Sequence, residues 1–223
     1  MNIKENFDKI LKILPDTVKL VAVSKTKPNE LIMQAYNMGY RIFGENKPQE
    51  LKRKYDELPK DINWHMIGHL QTNKVKYIAP FVELIHAVDS IKLLKTINKE
   101  AIKNNRVINY LFQIHVAKEQ SKFGLSCSII EDIISSEEFS TLKNVNLVGL
   151  MAMATNTTNE ELIANEFKEV KNCLNKLKST FFADKEDFKE LSIGMSQDYQ
   201  IAVKQDSTMV RIGSLLFGSR DIV

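Results

Sequence analysis

Cysteine is scarce in this chain: of 223 residues only Cys127 and Cys173 carry thiols. They lie far apart in helix-like segments, with neither the paired spacing of a zinc site nor the density of a disulfide framework, so reduced thiols of a cytoplasmic protein are expected. Long hydrophobic runs are also missing. No apolar stretch approaches the ~20 residues that cross a bilayer, and the start, Met1-Asn2-Ile3-Lys4-Glu5, holds no apolar signal core, so no membrane is expected as a partner. Charge of one sign is lacking too. The net charge is only +3, the lysines are scattered among glutamates and no basic stripe is interleaved with aromatics, which argues against a nucleic-acid partner. The four histidines, His65, His69, His86 and His115, fall on separate strands or turns without metal-ligand spacing, so no metal is assigned.

What is present is the composition of an ordinary globular protein, 43% apolar and 26% charged, with length for one well-buried core and no room for a second full domain. Residues 1–223 are therefore read as a single domain. Strand-like apolar runs recur at Val18–Val23, Arg41–Phe43, Trp64–Ile67, Leu84–Val88, Tyr110–Val116, Leu147–Met151, Leu191–Ile193 and Met209–Ile212. Helix-like segments separate them. The clearest runs from Ser90 to Asn104, where Asp89 or Ser90 can cap the first turn and Ile91, Leu94, Ile97 and Ala101 share a face. Another runs from Asn159 towards Lys178 with Leu162, Phe167, Val170, Leu174 and Leu177 as its stripe. Eight strands alternating with helices in a chain of this length predict an α/β fold, a single closed (β/α)8 barrel.

Lys25 ends the run Val18-Lys19-Leu20-Val21-Ala22-Val23-Ser24-Lys25, just before the helix-starting Pro28. Most lysines at such a junction are simply solvated, but barrel ligands lie beyond the carboxyl ends of the strands, where an amine could form a Schiff base. The far end of the chain gives the amine a complement. Ser192-Ile193-Gly194-Met195-Ser196 follows the seventh strand and Arg211-Ile212-Gly213-Ser214 the eighth, each reading as strand, glycine, hydroxyl, helix start. Glycine permits close backbone approach, serine can cap a helix or donate to an anion, and barrels commonly bind phosphate on these two loops. In a closed barrel the first and eighth strands are neighbours, so an aldehyde-reactive amine and a phosphate cradle share one mouth. Pyridoxal phosphate carries both matching groups.

These residues are familiar as a set. Ala22-Val23-Ser24-Lys25-Thr26-Lys27-Pro28, Phe43-Gly44-Glu45-Asn46, Trp64-His65-Met66-Ile67-Gly68-His69-Leu70-Gln71-Thr72-Asn73-Lys74, Lys118-Glu119-Gln120-Ser121-Lys122-Phe123-Gly124, Gly149-Leu150-Met151 and the two carboxyl-end loops occur in order along nearly the whole chain. The sequence resembles the pyridoxal phosphate homeostasis protein family. That resemblance implies a barrel like the amino-terminal domain of alanine racemase, pyridoxal 5'-phosphate held as a Schiff base on Lys25, and a role in vitamin B6 balance. It further implies that Ser196, Gly213 and Ser214 hold the phosphate, that Arg211 faces the pyridine nitrogen, and that Asn46 lies near the ring hydroxyl side. Asp206 stands where the family usually has glycine, a position aspartate tolerates in a left-handed turn. The segment before the first strand is short, which would expose one barrel end or alter partner contacts.

Other candidates receive plainer readings. His65 is read as a hydrogen-bonded histidine of the barrel wall rather than a general base, Glu45 as a cap for the helix entered at Pro48, and Lys122 as a surface charge. Three functions compete: a protein that stores or delivers pyridoxal phosphate, with apoenzymes dependent on that cofactor as partners; an amino-acid racemase; and a barrel that binds a phosphorylated metabolite. The racemase needs a base on each face of the substrate carbon, and in the two-domain enzyme one comes from a second domain and partner subunit. A cofactor-binding monomer in the cytoplasm, without significant amino-acid turnover, is the expectation.

Overall fold

The computed structural model describes residues 2–117 and 123–218. The elements follow in the order α1 (Ile3–Ile13), β1 (Lys19–Val23), α2 (Asn29–Asn37), β2 (Ile42–Glu45), α3 (Pro48–Glu57), β3 (Asn63–Met66), α4 (Val75–Ile78), β4 (Leu84–Val88), α5 (Ile91–Lys103), β5 (Ile108–Ile114), α6 (Cys127–Ser135), α7 (Glu137–Ser140), β6 (Val145–Ala152), α8 (Glu160–Phe181), β7 (Glu190–Met195), α9 (Tyr199–Lys204), β8 (Met209–Ile212) and α10 (Ser214–Phe217). The strands form a closed barrel in sequence order, all pairs parallel, sealed where Lys19 to Ala22 pair with Met209 to Ile212. The eight expected strands all exist, with boundaries displaced by a residue or two at most of them.

Parallel strands buried on both faces explain the continuous apolar runs: Leu20 and Ala22 join the large core between barrel and helices, while Val21, Leu84, Leu111, Met151 and Met209 fill the barrel interior. The helices are stopped and started by local chemistry. Ser90 caps α5 by accepting from the Leu93 N–H, and Asn159 caps α8 by accepting from the Leu162 N–H. The stripe of α8 is shifted from the expected one: Ile163, Phe167, Val170, Leu174 and Leu177 are buried, whereas Leu162 is half-buried. Each fully buried aliphatic or aromatic side chain contributes roughly 1.5–3 kcal/mol. Helix α1, though short, buries Ile3, Phe7 and Ile10 and sets the Phe7 ring 5.0 Å from Tyr40 and 5.7 Å from Phe217. Asp206 does adopt the left-handed conformation, with φ at 59°.

The cysteines require a correction. Cys127 at the start of α6 and Cys173 in α8 form a disulfide across a Cα separation of 5.9 Å, not two free thiols. Their 46-residue sequence separation conceals this, because the contact is made only when both helices pack on the barrel. No helix among the described residues is long and apolar enough to cross a membrane.

Candidate functional site

The barrel has two unlike mouths. Where the strands begin, Lys19, Asn63, His65, Asn109 and Glu190 line an open depression of about 450 Å3. Where they end, a cavity of about 480 Å3 is lined by Lys25, Lys27, Asn46, Ser196, Arg211, Gly213 and Ser214, and also by Ile67, Gly68, His69, Gln113 and Met153. All six residues singled out from the sequence, Lys25, Asn46, Ser196, Arg211, Gly213 and Ser214, therefore meet on one wall system. Lys122 lies outside the described residues, as does the rest of 118–122.

Lys25 is half-buried in the turn between β1 and α2, and that turn is clamped from behind. The Ser24 hydroxyl donates to Glu45 Oε1 at 2.6 Å, and the Lys54 ammonium donates to the same oxygen at 2.7 Å, to the Ser24 carbonyl at 2.8 Å and to Glu50 Oε1 at 2.8 Å. Glu50 Oε1 also accepts from the Thr26 N–H at 2.7 Å, and Thr26 sits at a left-handed φ of 62°. The residues on both sides of Lys25 are thus tied to one buried ionic cluster. Glu45 is consequently not a helix cap: it belongs to β2, is fully buried, and the residue before α3 is Lys47. Burial pushes its carboxyl up, opposed by the charge and hydrogen bond of Lys54 and the hydroxyl of Ser24.

Asn46 is held at the cavity by the close approach of Gly68, where a Cβ would lie 2.5 Å from the Asn46 carbonyl oxygen. The two glycine–serine loops meet differently from the expected pair of capped helices. Helix α9 begins only at Tyr199, and the Ser196 hydroxyl instead accepts from the Gly213 N–H at 3.2 Å, stitching the loop after β7 to the loop after β8. Ser214 is the first residue of α10, preceded by Gly213, where a Cβ would lie 3.1 Å from the Val23 carbonyl oxygen.

Arg211 is buried at the cavity floor. Its Nη1 donates to the Ser192 carbonyl at 2.6 Å and to the Ser192 hydroxyl at 2.7 Å, and its Nη2 to the Ala152 carbonyl at 2.9 Å. Burial brings the guanidinium down to about 10, opposed by the Asp198 carboxylate, so it remains a cation at neutral pH. His65 is indeed a hydrogen-bonded wall histidine, but His86 is not scattered from it: His65 Nδ1 and His86 Nε2 are 3.0 Å apart. Polar residues at inward positions of otherwise apolar strands, in Asn63-Trp64-His65-Met66 and Leu84-Ile85-His86-Ala87-Val88, were the available signal. Gln113, His69 and Met153 also escaped the sequence reading, although each follows or ends a strand at the ligand-bearing mouth. The His69 ring stacks on Phe123 at 3.9 Å, and the Gln113 amide donates to the Phe123 carbonyl at 2.8 Å.

Comparison with known proteins gives a consistent picture. The family described as alanine racemase, N-terminal domain, matches residues 1–221. A pyridoxal phosphate homeostasis protein of Aquifex aeolicus is 38% identical over 203 residues, 91% of this chain and 87% of the relative. The structure of PipY from Synechococcus elongatus PCC7942 with pyridoxal phosphate bound superposes with a TM-score of 0.87 at 32% identity, covering 97% of this chain and 100% of that one. Alanine racemase of Clostridium difficile 630 gives a TM-score of 0.76 at 18% identity over 99% of this chain and 56% of the enzyme, a likeness of fold alone.

Proposed function

The chain belongs to the pyridoxal phosphate homeostasis protein family, and from that premise we propose that it holds pyridoxal 5'-phosphate at the carboxyl-end mouth of its barrel and acts in vitamin B6 balance without significant amino-acid turnover. The observation that carries this reading is the meeting of an amine, a buried guanidinium and two stitched glycine–serine loops on one cavity. The donor set fits the group. Lys25 offers the amine, Ser214 and the backbone around Gly213 offer hydrogen-bond donors to a phosphate, and the absent Cβ of Gly213 leaves the loop close to Val23.

Pyridoxal phosphate supplies an aldehyde that condenses with an amine and a ring that withdraws electrons. The residues of this chain bind and restrain it. Lys25 would provide the covalent anchor, Ser196, Gly213 and Ser214 would hold the phosphate, and Asn46 would lie near the ring hydroxyl side. Arg211, a cation with carbonyl partners already fixed, would face the ring nitrogen and disfavour a proton there, which would mute carbanion chemistry. The proposed acting form is a monomer, with apoenzymes of the cytoplasm as recipients of the cofactor.

The test is spectral and chemical. Added pyridoxal phosphate should give a visible absorption band that borohydride removes, leaving a cofactor-sized mass on Lys25. Lys25→Ala should lose both while keeping the fold, whereas full reducible occupancy in that variant would move the anchor to Lys27, which lines the same cavity. Deuterium exchange at the alpha carbon across L- and D-amino acids should show no Lys25-dependent turnover. Rapid exchange with inversion would reinstate the racemase.

A further inference from the structure

A line of hydrogen-bonded side chains crosses the barrel from one mouth to the other, and the role of Lys25 leaves it unused. It runs from Arg211 on β8 to the Ser192 hydroxyl on β7 at 2.7 Å, from that hydroxyl to His86 Nδ1 on β4 at 2.9 Å, and from His86 Nε2 to His65 Nδ1 on β3 at 3.0 Å. Ser192 and His86 are fully buried and His65 is 5% exposed, so water competes for none of these bonds along the line.

The Ser192 hydroxyl sets the direction of the line. A guanidinium has donors only, so the Ser192 oxygen accepts from Arg211; the one other polar partner of that hydroxyl among the described residues is His86 Nδ1, so the buried O–H donates there rather than going without an acceptor. His86 then carries its proton on Nε2 and donates it to His65 Nδ1, which leaves the proton of His65 on Nε2, on the side of the amino-end depression that His65 lines. A second proton on either imidazole would set two N–H groups, or an N–H and an O–H, against each other. Burial lowers both rings, with the charge of Lys19 acting on His65 and those of His65 and Arg211 on His86. Around the His65 end lie Lys19, Glu83, Asp187, Lys189 and Glu190, and Arg211 closes the other end.

We propose that Ser192, His86 and His65 are positioning residues for Arg211, a one-directional relay that fixes the angle of the guanidinium in the cavity floor and thereby the electronic state of whatever ring faces it. The relay explains why three polar side chains occupy inward positions that an apolar core would fill: the Ser192 and Ala152 carbonyls accept from Nη1 and Nη2, and the hydroxyl, itself pinned by His86, accepts the remaining bond from Nη1. The consequence for the cofactor rests on the proposed pyridoxal phosphate reading, while the relay itself is a property of the chain.

Two measurements separate these. Imidazole nitrogen spectra of the protein without cofactor should show His65 and His86 as neutral Nε2–H tautomers that do not titrate between about pH 5 and 8. An Nδ1–H tautomer, or titration near the ordinary histidine value, overturns the relay. In the loaded protein, Ser192→Ala and His86→Leu should shift the absorption maximum of bound pyridoxal phosphate and weaken its retention about tenfold. His86→Gln, whose amide can accept from Ser192 and donate to His65, should restore both. Wild-type spectra and affinity in folded Ser192→Ala and His86→Leu would reduce the relay to core filling. Should either variant fail to fold, the spectra of the unaltered protein still decide. Failure of the unaltered protein to bind pyridoxal phosphate would overturn the proposed function and leave the tautomer result standing.

Discussion

The Lys54 ammonium and the Glu45 carboxylate form a salt bridge of 2.7 Å in which neither side chain is exposed at all, and they do so directly behind the turn that presents Lys25. Breaking a buried pair by removing one partner typically costs about 3–5 kcal/mol, because the remaining charge is stranded. Lys54→Met, which strands Glu45, should destabilise the fold by that order, and Glu45→Leu by less, because Lys54 keeps Glu50 and the Ser24 carbonyl. The double variant should be less destabilised than the sum of the two, and chemical denaturation in a double-mutant cycle measures the coupling. Additive losses would mean that the pair does not act as a unit.

The loop serines carry a smaller effect. A charge-assisted hydrogen bond is worth about 1.5–3 kcal/mol, and backbone donors survive removal of a hydroxyl. Ser196→Ala with Ser214→Ala should therefore weaken retention of pyridoxal phosphate about tenfold or more without moving the covalent anchor, as read by equilibrium dialysis and by mass after reduction. Because the Ser196 hydroxyl occupies the Gly213 N–H, Ser214 should account for the larger share. Unchanged affinity in the double variant would count against a phosphate held by these loops.

The buried histidines predict a sensitivity to acid. His65 is brought down from 6.5 to about 3 in the folded protein, and His86 is also well below its ordinary value. Below pH 6.5 the unfolded chain takes up protons that the folded chain refuses, so stability is full above that pH and falls as pH drops towards 3. Each histidine contributes a slope of about 1.4 kcal/mol per pH unit within the window. Thermal melts between those limits should show this loss, and the slope in His86→Gln should be shallower by one proton.

Reduction of the Cys127–Cys173 bond should lower stability without altering the barrel. Closing a loop of 46 residues accounts for about 4 kcal/mol in the chain-entropy account, an upper value when the reduced chain keeps local structure. Denaturation with and without reductant, alongside a Cys127→Ser and Cys173→Ser double variant, measures the difference. An unchanged midpoint on reduction would show that the two helices are held by packing alone.

Much of this protein is legible in one dimension. Continuous apolar runs separated by 3.6-period stripes identify parallel strands covered by helices, since a strand buried on both faces has no polar side to display. The position of Lys25 at the end of β1, and of Gly213 and Ser214 at the end of β8, follows from the same rule, because a closed barrel makes its first and last strands neighbours. Ser90 was readable, with Asp89, as a candidate cap because a cap is satisfied within three residues of itself.

What the sequence left open are contacts between residues far apart in the chain. Glu45 looks like a cap beside Pro48 until β2 turns its carboxylate onto Ser24 and Lys54. His86 and Ser192 are 106 positions apart, and Arg211 is 19 further on, yet they share one line of hydrogen bonds. Cys127 and Cys173 read as separate thiols until α6 and α8 lie side by side. The physical reason is common to all three. Period and propensity are set by neighbours within a turn or a pleat, so they fix the elements and the mouth at which the site forms. The partner of a buried charge, imidazole or thiol is chosen by whichever strand or helix closure brings within 3 Å, and that choice belongs to the tertiary structure.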